Sequence, residues 1–109
     1  MEFEWDATKE AANLAKHGIS FVAAARVLDS ATVVEFQSSR AGESRWVAIG
    51  MHPTTHKVVA VVYTMREDRY RIISARMARR DEEEQYQKHI EAKAARAEDE
   101  SKTSPHDKQ

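Results

Sequence analysis

Two kinds of hydrophobic spacing occur along this chain, and each predicts a different element. Residues 3–5 alternate apolar and polar side chains, which indicates a short strand. Apolar residues then recur at helical spacing over residues 7–15 and again over 21–28, with Asp6 placed to cap the first stretch and Gly18 placed to end it. The first part of the chain is therefore predicted to form one strand and two short helices.

From residue 31 onward the chain becomes rich in β-branched and aromatic residues, which favour strands. The predicted strands are residues 32–36, 45–51, 58–65 and 70–75. Residues 38–42 have the composition of a loop, and the turns at 52–56 and 66–69 are short, so these strands are expected to form an antiparallel meander. The nearly unbroken apolar run over 58–65 predicts a central strand that is covered on both faces.

The last predicted element is a helix from about Arg79 into the mid-90s, with acidic residues in its first turn. The element order is β-α-α-β-β-β-β-α, which predicts a small α+β fold with helices packed on an antiparallel sheet. We expect one domain over residues 1–97. A charged, disordered tail is expected over 98–109, because that segment has no apolar residue except Pro105.

Composition excludes several kinds of protein. The chain has 109 residues and no cysteine, so a disulfide scaffold, a thiolate zinc site and a thiol nucleophile are excluded. No apolar run approaches the roughly 18 residues of a transmembrane helix. The acidic MEFEWD start is unlike a signal peptide, so we expect a cytoplasmic protein with no membrane partner. His52 and His56 flank a proline turn, and we expect neither a metal site there nor any cofactor.

Positive charge is concentrated in one stretch of a nearly neutral chain, whose net charge is −1. Residues 66–80 contain six arginines and two acidic residues, and residues 81–91 contain five acidic residues and one lysine. Arginine can bind phosphate through two parallel hydrogen bonds, so the basic stretch predicts a phosphate-bearing ligand. Exposed arginines paired with the acidic stretch that follows explain the charge pattern equally well.

Strand parity decides which of these arginines can act together. Arg66 and Arg69 flank one predicted turn and Arg71 follows, so these three are expected near one end of the sheet. Arg71 and Arg76 lie on opposite faces of a regular strand, and only a β-bulge would bring them to the same face. Because both lie in an apolar strand, we expect them either to hold phosphate or to form structural salt bridges.

An arginine cluster can also promote cleavage of RNA if a proton carrier lies beside it. Attack by the 2′-hydroxyl requires that this oxygen be deprotonated, that the leaving 5′-oxygen be protonated and that the anionic phosphorus centre be stabilised, and no metal is required. Glu43, His17 and Lys16 are the candidates for the proton transfers. Each has a simpler interpretation, because His17 and Lys16 suit the C-terminal end of a helix, and Glu43 can form a surface pair with Arg45.

Three stretches of the sequence resemble the BrnT toxins of bacterial type II toxin–antitoxin systems. They are FEWDATKEAANLAKHGISFVAAARVLD, ESRWVAIG and RIISARMARRDEEEQY, and they extend from about Phe3 to Tyr86. The most specific parts are the FEWD start, the KHGISF turn and the RIISAR strand, which occur in that order and spacing. The tail after Ala97 has no counterpart in the family's pattern.

The resemblance implies a RelE-like ribonuclease fold and metal-independent cleavage of RNA that halts translation. The residues at matching motif positions are Lys16 and His17 of KHG, Glu43 and Arg45 of E-x-R, and Arg71 and Arg76 of RIISAR. In the implied site Arg71 and Arg76 hold the phosphate, and either Glu43 or His17 carries the proton. We expect the RNA-binding residues to be Lys16, Arg45, Arg66 and Arg69.

The resemblance also implies a partner, a BrnA-like antitoxin with a ribbon-helix-helix DNA-binding region. The complex is expected to reach operator DNA only through the antitoxin and to repress its own operon. Two alternatives remain open: a non-catalytic, arginine-rich module that binds RNA or protein, and a protein that acts only through its antitoxin, with catalysis lost. RNA binding with steep salt dependence but no products would indicate the first alternative. Toxicity on expression separates a ribonuclease from both.

Overall fold

A computed structural model describes the backbone of residues 1–40 and 43–102 and the side chains of residues 1–38 and 44–97. The elements are β1 Phe3–Glu4, α1 Ala7–His17, α2 Phe21–Leu28, β2 Val34–Arg40, β3 Glu43–Met51, β4 Val58–Arg66, β5 Arg69–Met77 and α3 Arg80–Lys102. This is the predicted β-α-α-β-β-β-β-α order, and the α+β class is confirmed.

The five strands form one sheet in the order β1-β5-β4-β3-β2. Strands β2 to β5 pair with their neighbours in antiparallel fashion, which confirms the predicted meander. The sequence predicted an antiparallel sheet, and the structure differs at one edge. There β1 pairs parallel to β5, with Phe3 opposite Tyr70 and Glu4 opposite Arg71. The two strands are separated in the chain by all the other strands, so no hairpin fixes their relative direction.

Helices cover both faces of the sheet. On one face α2 packs in a cluster that joins Phe21 to Val61 and Ile72. On the other face α3 packs in a second cluster, which includes Tyr86 of α3 and Ile49 of β3. The first four residues of β4 are buried, which confirms the prediction of a central strand covered on both faces. The α3 face of the sheet matters below, because it carries the candidate site.

Capping side chains begin both short helices, and the predicted Asp6 cap and Gly18 stop of α1 are confirmed. The Asp6 carboxylate accepts a hydrogen bond from the backbone N–H of Lys9 at 3.0 Å, and the Ser20 hydroxyl accepts one from that of Ala23 at 3.1 Å. Gly18 has a φ of 70°, in the left-handed region that favours glycine, and its N–H closes the last turn of α1.

The loop predicted over residues 38–42 is wrong in its first part. Strand β2 pairs with β3 in a continuous register from Val34 opposite Ile49 to Arg40 opposite Glu43. The polar residues at the end of β2 are tolerated because β2 is the edge strand of the sheet, and pairing there outweighs intrinsic preference. Residues 41 and 42 lie outside the described part of the chain.

Helix α3 is longer than predicted. Its backbone continues to Lys102, which is beyond the domain boundary expected at residue 97, and that boundary stays a prediction. The remainder of the expected tail, residues 103–109, lies outside the described residues. Among the helices described, none has both the length and the apolar character needed to cross a bilayer.

Candidate functional site

A β-bulge in β5 determines which side chains share the α3 face of the sheet. Val62 of β4 lies opposite Ser74, but the next residue, Tyr63, lies opposite Ile72. Ile73 is therefore the extra residue on β5, and it shifts the side-chain alternation of the strand by one position. Without this shift, Ser74 and Ile72 would lie on the same face.

The bulge brings Arg71 and Arg76 to the same face of the sheet. Arg71 lies opposite Thr64 and Arg76 lies opposite Ala60, and these two β4 residues share one face because they are four residues apart. The sequence analysis required a β-bulge for the two arginines to share a face, and the structure contains one. Sharing a face does not bring the two arginines together, however, because about five residues of strand correspond to roughly 15 Å.

A cleft of about 240 Å³ opens on this face between the sheet and the start of α3. Its lining residues are Phe36, Ser38, Arg45, Val47, Val62, Ser74, Arg76, Arg79 and Glu82. The four strands of the meander and the first turn of α3 all contribute. The cleft combines an apolar floor with three arginines and one carboxylate, which is a suitable lining for an anionic ligand that also has an apolar part.

Arg76 is held in the cleft by a carboxylate from α3. Its Nη1 donates to Glu82 Oε1 at 2.8 Å, and its Nη2 donates to Glu82 Oε2 at 3.0 Å. The backbone N–H of Arg79 donates to the same Oε1 at 2.7 Å, so Glu82 also caps the start of α3. Glu82 is only 6% exposed. Its hydrogen bonds with Arg76 lower the pKa of Glu82 and raise the pKa of Arg76, so both groups are charged.

Three other arginines of the basic stretch converge on Glu4 in β1. Arg71 Nη1 donates to Glu4 Oε2 at 2.7 Å, and the guanidinium groups of Arg69 and Arg66 lie 3.7 Å and 4.0 Å from the same carboxylate. The hydrogen bond from Arg71 holds the pKa of Glu4 below its usual value. These three arginines do lie together as predicted, but they lie around a carboxylate that ties β1 to β5.

A second depression, a groove of about 260 Å³, runs between α1 and the edge of β5. Its lining residues are Lys9, Ala12, Asn13, Lys16, His17, Ile73 and Ser74. Ser74 also lines the cleft, so the groove and the cleft meet at this residue. His17 is half-buried and Lys16 is exposed. Lys16 and His17 at the end of α1 therefore approach the cleft from the side of the sheet.

The structure distributes the candidates of the sequence over three places. Arg45 and Arg76 line the cleft, Lys16 and His17 line the groove, and Arg66, Arg69 and Arg71 surround Glu4. Glu43 begins β3, two residues before Arg45, but its side chain lies outside the described part. The catalytic and RNA-binding roles of all these residues stay predictions. Within the described residues, no group of three His, Asp or Glu side chains is arranged to hold a metal ion.

Sequence reasoning missed Ser74 and Glu4, and it offered pairing of the arginines with the acidic stretch 81–91 without singling out Glu82. Glu82 follows Arg79 by three residues, and this is the spacing at which a glutamate reaches back to the N–H that precedes a helix, so the sequence contained a signal for it. The contact between Glu4 and Arg71 joins residues 67 positions apart, and no local spacing indicates it.

Comparison with known proteins identifies the family. No curated protein matches this chain. The family model described as the ribonuclease toxin BrnT of type II toxin–antitoxin systems matches residues 5–82, which is more than half of the 109 residues. The matched span includes every residue that lines the cleft and the groove, and it ends at Glu82. The chain belongs to the BrnT family of ribonuclease toxins of type II toxin–antitoxin systems.

Proposed function

We propose that this toxin cleaves RNA without a metal ion and that the cleft beside α3 is the site of cleavage. The observation that carries the proposal is the bulge at Ile73, because it turns Ser74 and Arg76 into the same cleft as Arg45. Membership of the BrnT family makes RNA the substrate, so a cleft lined by arginines is the natural place for the phosphodiester.

Arg76 can hold a phosphate without releasing Glu82. A guanidinium has five N–H donors, and in the described contacts Arg76 uses both Nη atoms toward Glu82 and Nη1 toward the Met77 carbonyl oxygen at 3.3 Å. Its Nε–H and the second Nη2–H form a parallel pair along the side of the guanidinium, and none of these contacts uses them. Glu82 therefore acts as a support that orients Arg76 and keeps its second fork available for two phosphate oxygens.

The reaction we propose is attack by the 2′-hydroxyl of the substrate on the adjacent phosphorus. The O2′–P bond forms, the P–O5′ bond breaks, and the products are a 2′,3′-cyclic phosphate and a free 5′-hydroxyl. Arg76 and Arg45 stabilise the charge that builds on the phosphate oxygens. Glu43 or His17 takes the proton from O2′, and another of the three candidates Glu43, His17 and Lys16 gives a proton to O5′. Ser74 lines both the groove and the cleft, and its hydroxyl can donate a hydrogen bond to the phosphate.

The experiment is RNA cleavage by the purified protein in excess EDTA, with Arg76→Ala and the control Arg80→Ala alongside. Arg80 is a matched control because its substitution also removes one arginine, four residues further along the chain at the start of α3, from a side chain that is 95% exposed. We expect the wild type and Arg80→Ala to give 5′-hydroxyl fragments. Arg76→Ala should cleave about 100-fold more slowly, the usual cost of one lost oxyanion donor. If the alanine variant does not fold, Arg76→Lys replaces it in the assay, because lysine keeps a positive charge beside Glu82.

Three outcomes would contradict the proposal. Cleavage that stops in EDTA would contradict the metal-free reaction. Equal rates in the wild type and Arg76→Ala would exclude the cleft as the site. Intact RNA that nevertheless binds the protein with steep salt dependence would favour the non-catalytic binding module.

A type II system includes a protein antitoxin, and we propose that the cognate antitoxin here is BrnA-like, with a ribbon-helix-helix region. Its complex with this toxin would repress their operon in the cytoplasm, and the antitoxin would make the contacts with operator DNA. Co-expression with the protein encoded beside this toxin should relieve growth arrest, and the purified complex should retard operator DNA. The toxin alone should not retard it. Retardation by the toxin alone, or toxicity that persists with the neighbouring protein present, would contradict this part of the proposal.

A further inference from the structure

A buried asparagine joins the groove to the cleft. Asn13 lies in α1, is only 8% exposed and makes three hydrogen bonds through its side-chain amide. Its Nδ2 donates to the carbonyl oxygens of Ala75 at 2.9 Å and of Ile19 at 3.1 Å. Its Oδ1 accepts from the backbone N–H of Ala75 at 3.1 Å. Both backbone polar groups of one β5 residue are therefore paired with one side chain from a helix.

Asn13 takes the place of a neighbouring strand at this edge of the sheet. Strand β1 pairs with β5 only through Phe3 and Glu4, and its last partner on β5 is Arg71. In the described part of the chain no other strand pairs with β5 on this side. The backbone groups of Ala75 would otherwise be buried without partners, since Ala75 is fully buried. The Asn13 side chain satisfies both groups and thereby fixes the distance between α1 and β5.

The residues on either side of this contact belong to the site. Ala75 lies between Ser74 and Arg76, which both line the cleft. On α1, Lys16 and His17 follow Asn13 by three and four residues, the spacing that places side chains on one helix face, and both line the groove. The hydrogen bonds of Asn13 therefore connect the segment that carries Lys16 and His17 to the segment that carries Arg76.

We propose that Asn13 is a positioning residue that holds Lys16 and His17 in register with Ser74 and Arg76, so that both sets act on one RNA backbone. The inference rests on the proposed function. A phosphodiester held by Arg76 would present its neighbouring 2′-oxygen or the next phosphate to the end of α1, across Ser74. A displacement of about 1 Å between reacting groups can cost about 100-fold in rate, so the register of α1 on β5 matters for catalysis.

The variant that tests this role is Asn13→Asp. Aspartate has the same shape and keeps the acceptor for the Ala75 N–H, but it loses the two donors and places an oxygen against the two carbonyl oxygens of Ala75 and Ile19. The matched control is Val27→Ala, which removes core volume in α2, where Val27 is 1% exposed and lies beside Gly50. The control loses stability without changing the contact between α1 and β5.

The readout is kcat and KM for RNA cleavage, measured below the unfolding temperature of every variant. We expect Asn13→Asp to lower kcat about tenfold or more with a much smaller change in KM, because the misplaced groups act on the bound substrate. Val27→Ala should keep the kcat of the wild type even where its unfolding temperature is lower. The same aspartate substitution is then made in a Lys16→Ala/His17→Ala background, where it should have little further effect on kcat because the groups that it positions are absent.

The outcomes separate this inference from the function on which it rests. A wild type that leaves RNA intact overturns both. A wild type that cleaves RNA, together with unchanged kcat in Asn13→Asp, overturns the role of Asn13 alone. An equal loss of kcat in the wild-type and double-variant backgrounds, or a similar loss in Val27→Ala, also overturns it. If the aspartate variant does not fold, Asn13→Gln replaces it: it keeps the donors and the acceptor, but its extra methylene pushes α1 from β5, and the same background dependence is expected.

Discussion

Replacing Glu82 by glutamine tests whether the ion pair in the cleft stabilises the fold. Glu82 accepts two hydrogen bonds from Arg76 and one from the backbone of Arg79, all between 2.7 and 3.0 Å. Glutamine has nearly the same shape and keeps one oxygen, which can still accept from Arg79. Its amide nitrogen, however, faces a guanidinium nitrogen, so one hydrogen bond becomes a contact between two donors and the charge of the pair is lost.

The magnitude follows from the burial of the two partners. A hydrogen bond to a charged group contributes about 1.5–3 kcal/mol when it is shielded from water. The side chain of Glu82 is 7% exposed but that of Arg76 is 21% exposed, so water can solvate part of the abandoned guanidinium. We therefore expect Glu82→Gln to lower the free energy of unfolding by about 2 kcal/mol, below the roughly 3–5 kcal/mol for breaking a fully buried pair. For a domain of this size the melting temperature should fall by about 10 °C.

The direction of the pKa shift of Glu82 determines how the stability difference between the wild type and Glu82→Gln changes with pH. Hydrogen bonds from Arg76 lower the pKa of Glu82 below its ordinary value of 4.5. A carboxyl group with a lowered folded-state pKa contributes stability that is fully present above the unfolded-state value and is lost as the pH falls through the folded-state value. The difference between the wild type and Glu82→Gln should therefore be constant from pH 7 to about pH 5, and it should shrink below the ordinary carboxyl pKa, near pH 4.5.

The assay is urea unfolding followed by circular dichroism at several pH values, with Glu84→Gln as the control. Glu84 lies in the same helix and is 66% exposed, at 3.9 Å from Arg80, so its substitution should change stability by no more than about 0.5 kcal/mol. Equal stability of Glu82→Gln and the wild type at pH 7 would refute the reasoning. A difference that stays the same down to pH 3 would also refute it, because the loss would then not depend on the charge of Glu82.

Three further substitutions test the fold around the site. Gly18→Ala should lower the free energy of unfolding by about 1 kcal/mol in a urea titration, because Gly18 has a φ of 70°. No atom lies near the Cβ position, so the cost is backbone strain and not a steric clash. An unchanged midpoint of the titration would contradict this prediction. Gly50→Ala should lower the free energy of unfolding by about 1–3 kcal/mol in the same titration, because the added Cβ would lie 2.7 Å from Val27 Cγ1 in a packed core. Full stability would contradict this prediction and would mean that the core adjusts to the added atom. Glu4→Gln should loosen β1 and speed hydrogen exchange at the Tyr70 amide, which donates at 2.8 Å to the Glu2 carbonyl oxygen just before β1. The difference from the wild type should vanish once the pH falls through the lowered pKa of Glu4, because the carboxyl is then protonated, and unchanged exchange at neutral pH would contradict this prediction.

Most of the fold is predictable from the sequence because local signals agree with one another. Helical spacing, the capping residue Asp6 and the stop at Gly18 together determine α1, and the apolar run of β4 indicates its central position. The prediction failed where the determining contact is distant in the chain. The parallel pairing of β1 depends on β5, and the length of β2 depends on its register with β3, so composition alone gave a loop at residues 38–42.

The candidate site was less predictable, for a geometric reason. The motif residues could be found from the sequence, but their grouping depends on the bulge at Ile73, and no residue type in RIISAR specifies a bulge. A regular strand would place Arg76 on the α1 and α2 face, where the core cluster leaves no room for a guanidinium. The burial of that face therefore favours the bulge, and this argument becomes available only when the whole sheet is known.

The carboxylate partners of the arginines change how the basic stretch is interpreted. The sequence offered phosphate binding and structural salt bridges as alternatives for Arg71 and Arg76, and both arginines do contact a carboxylate. For Arg76 the alternatives are compatible, because Glu82 contacts both Nη atoms and leaves the Nε side of the guanidinium directed elsewhere. A fixed, fully charged arginine needs no reorganisation when a phosphate arrives, so its buried partner favours catalysis through orientation. The salt bridge in the cleft is therefore an argument for phosphate binding at Arg76 and not against it.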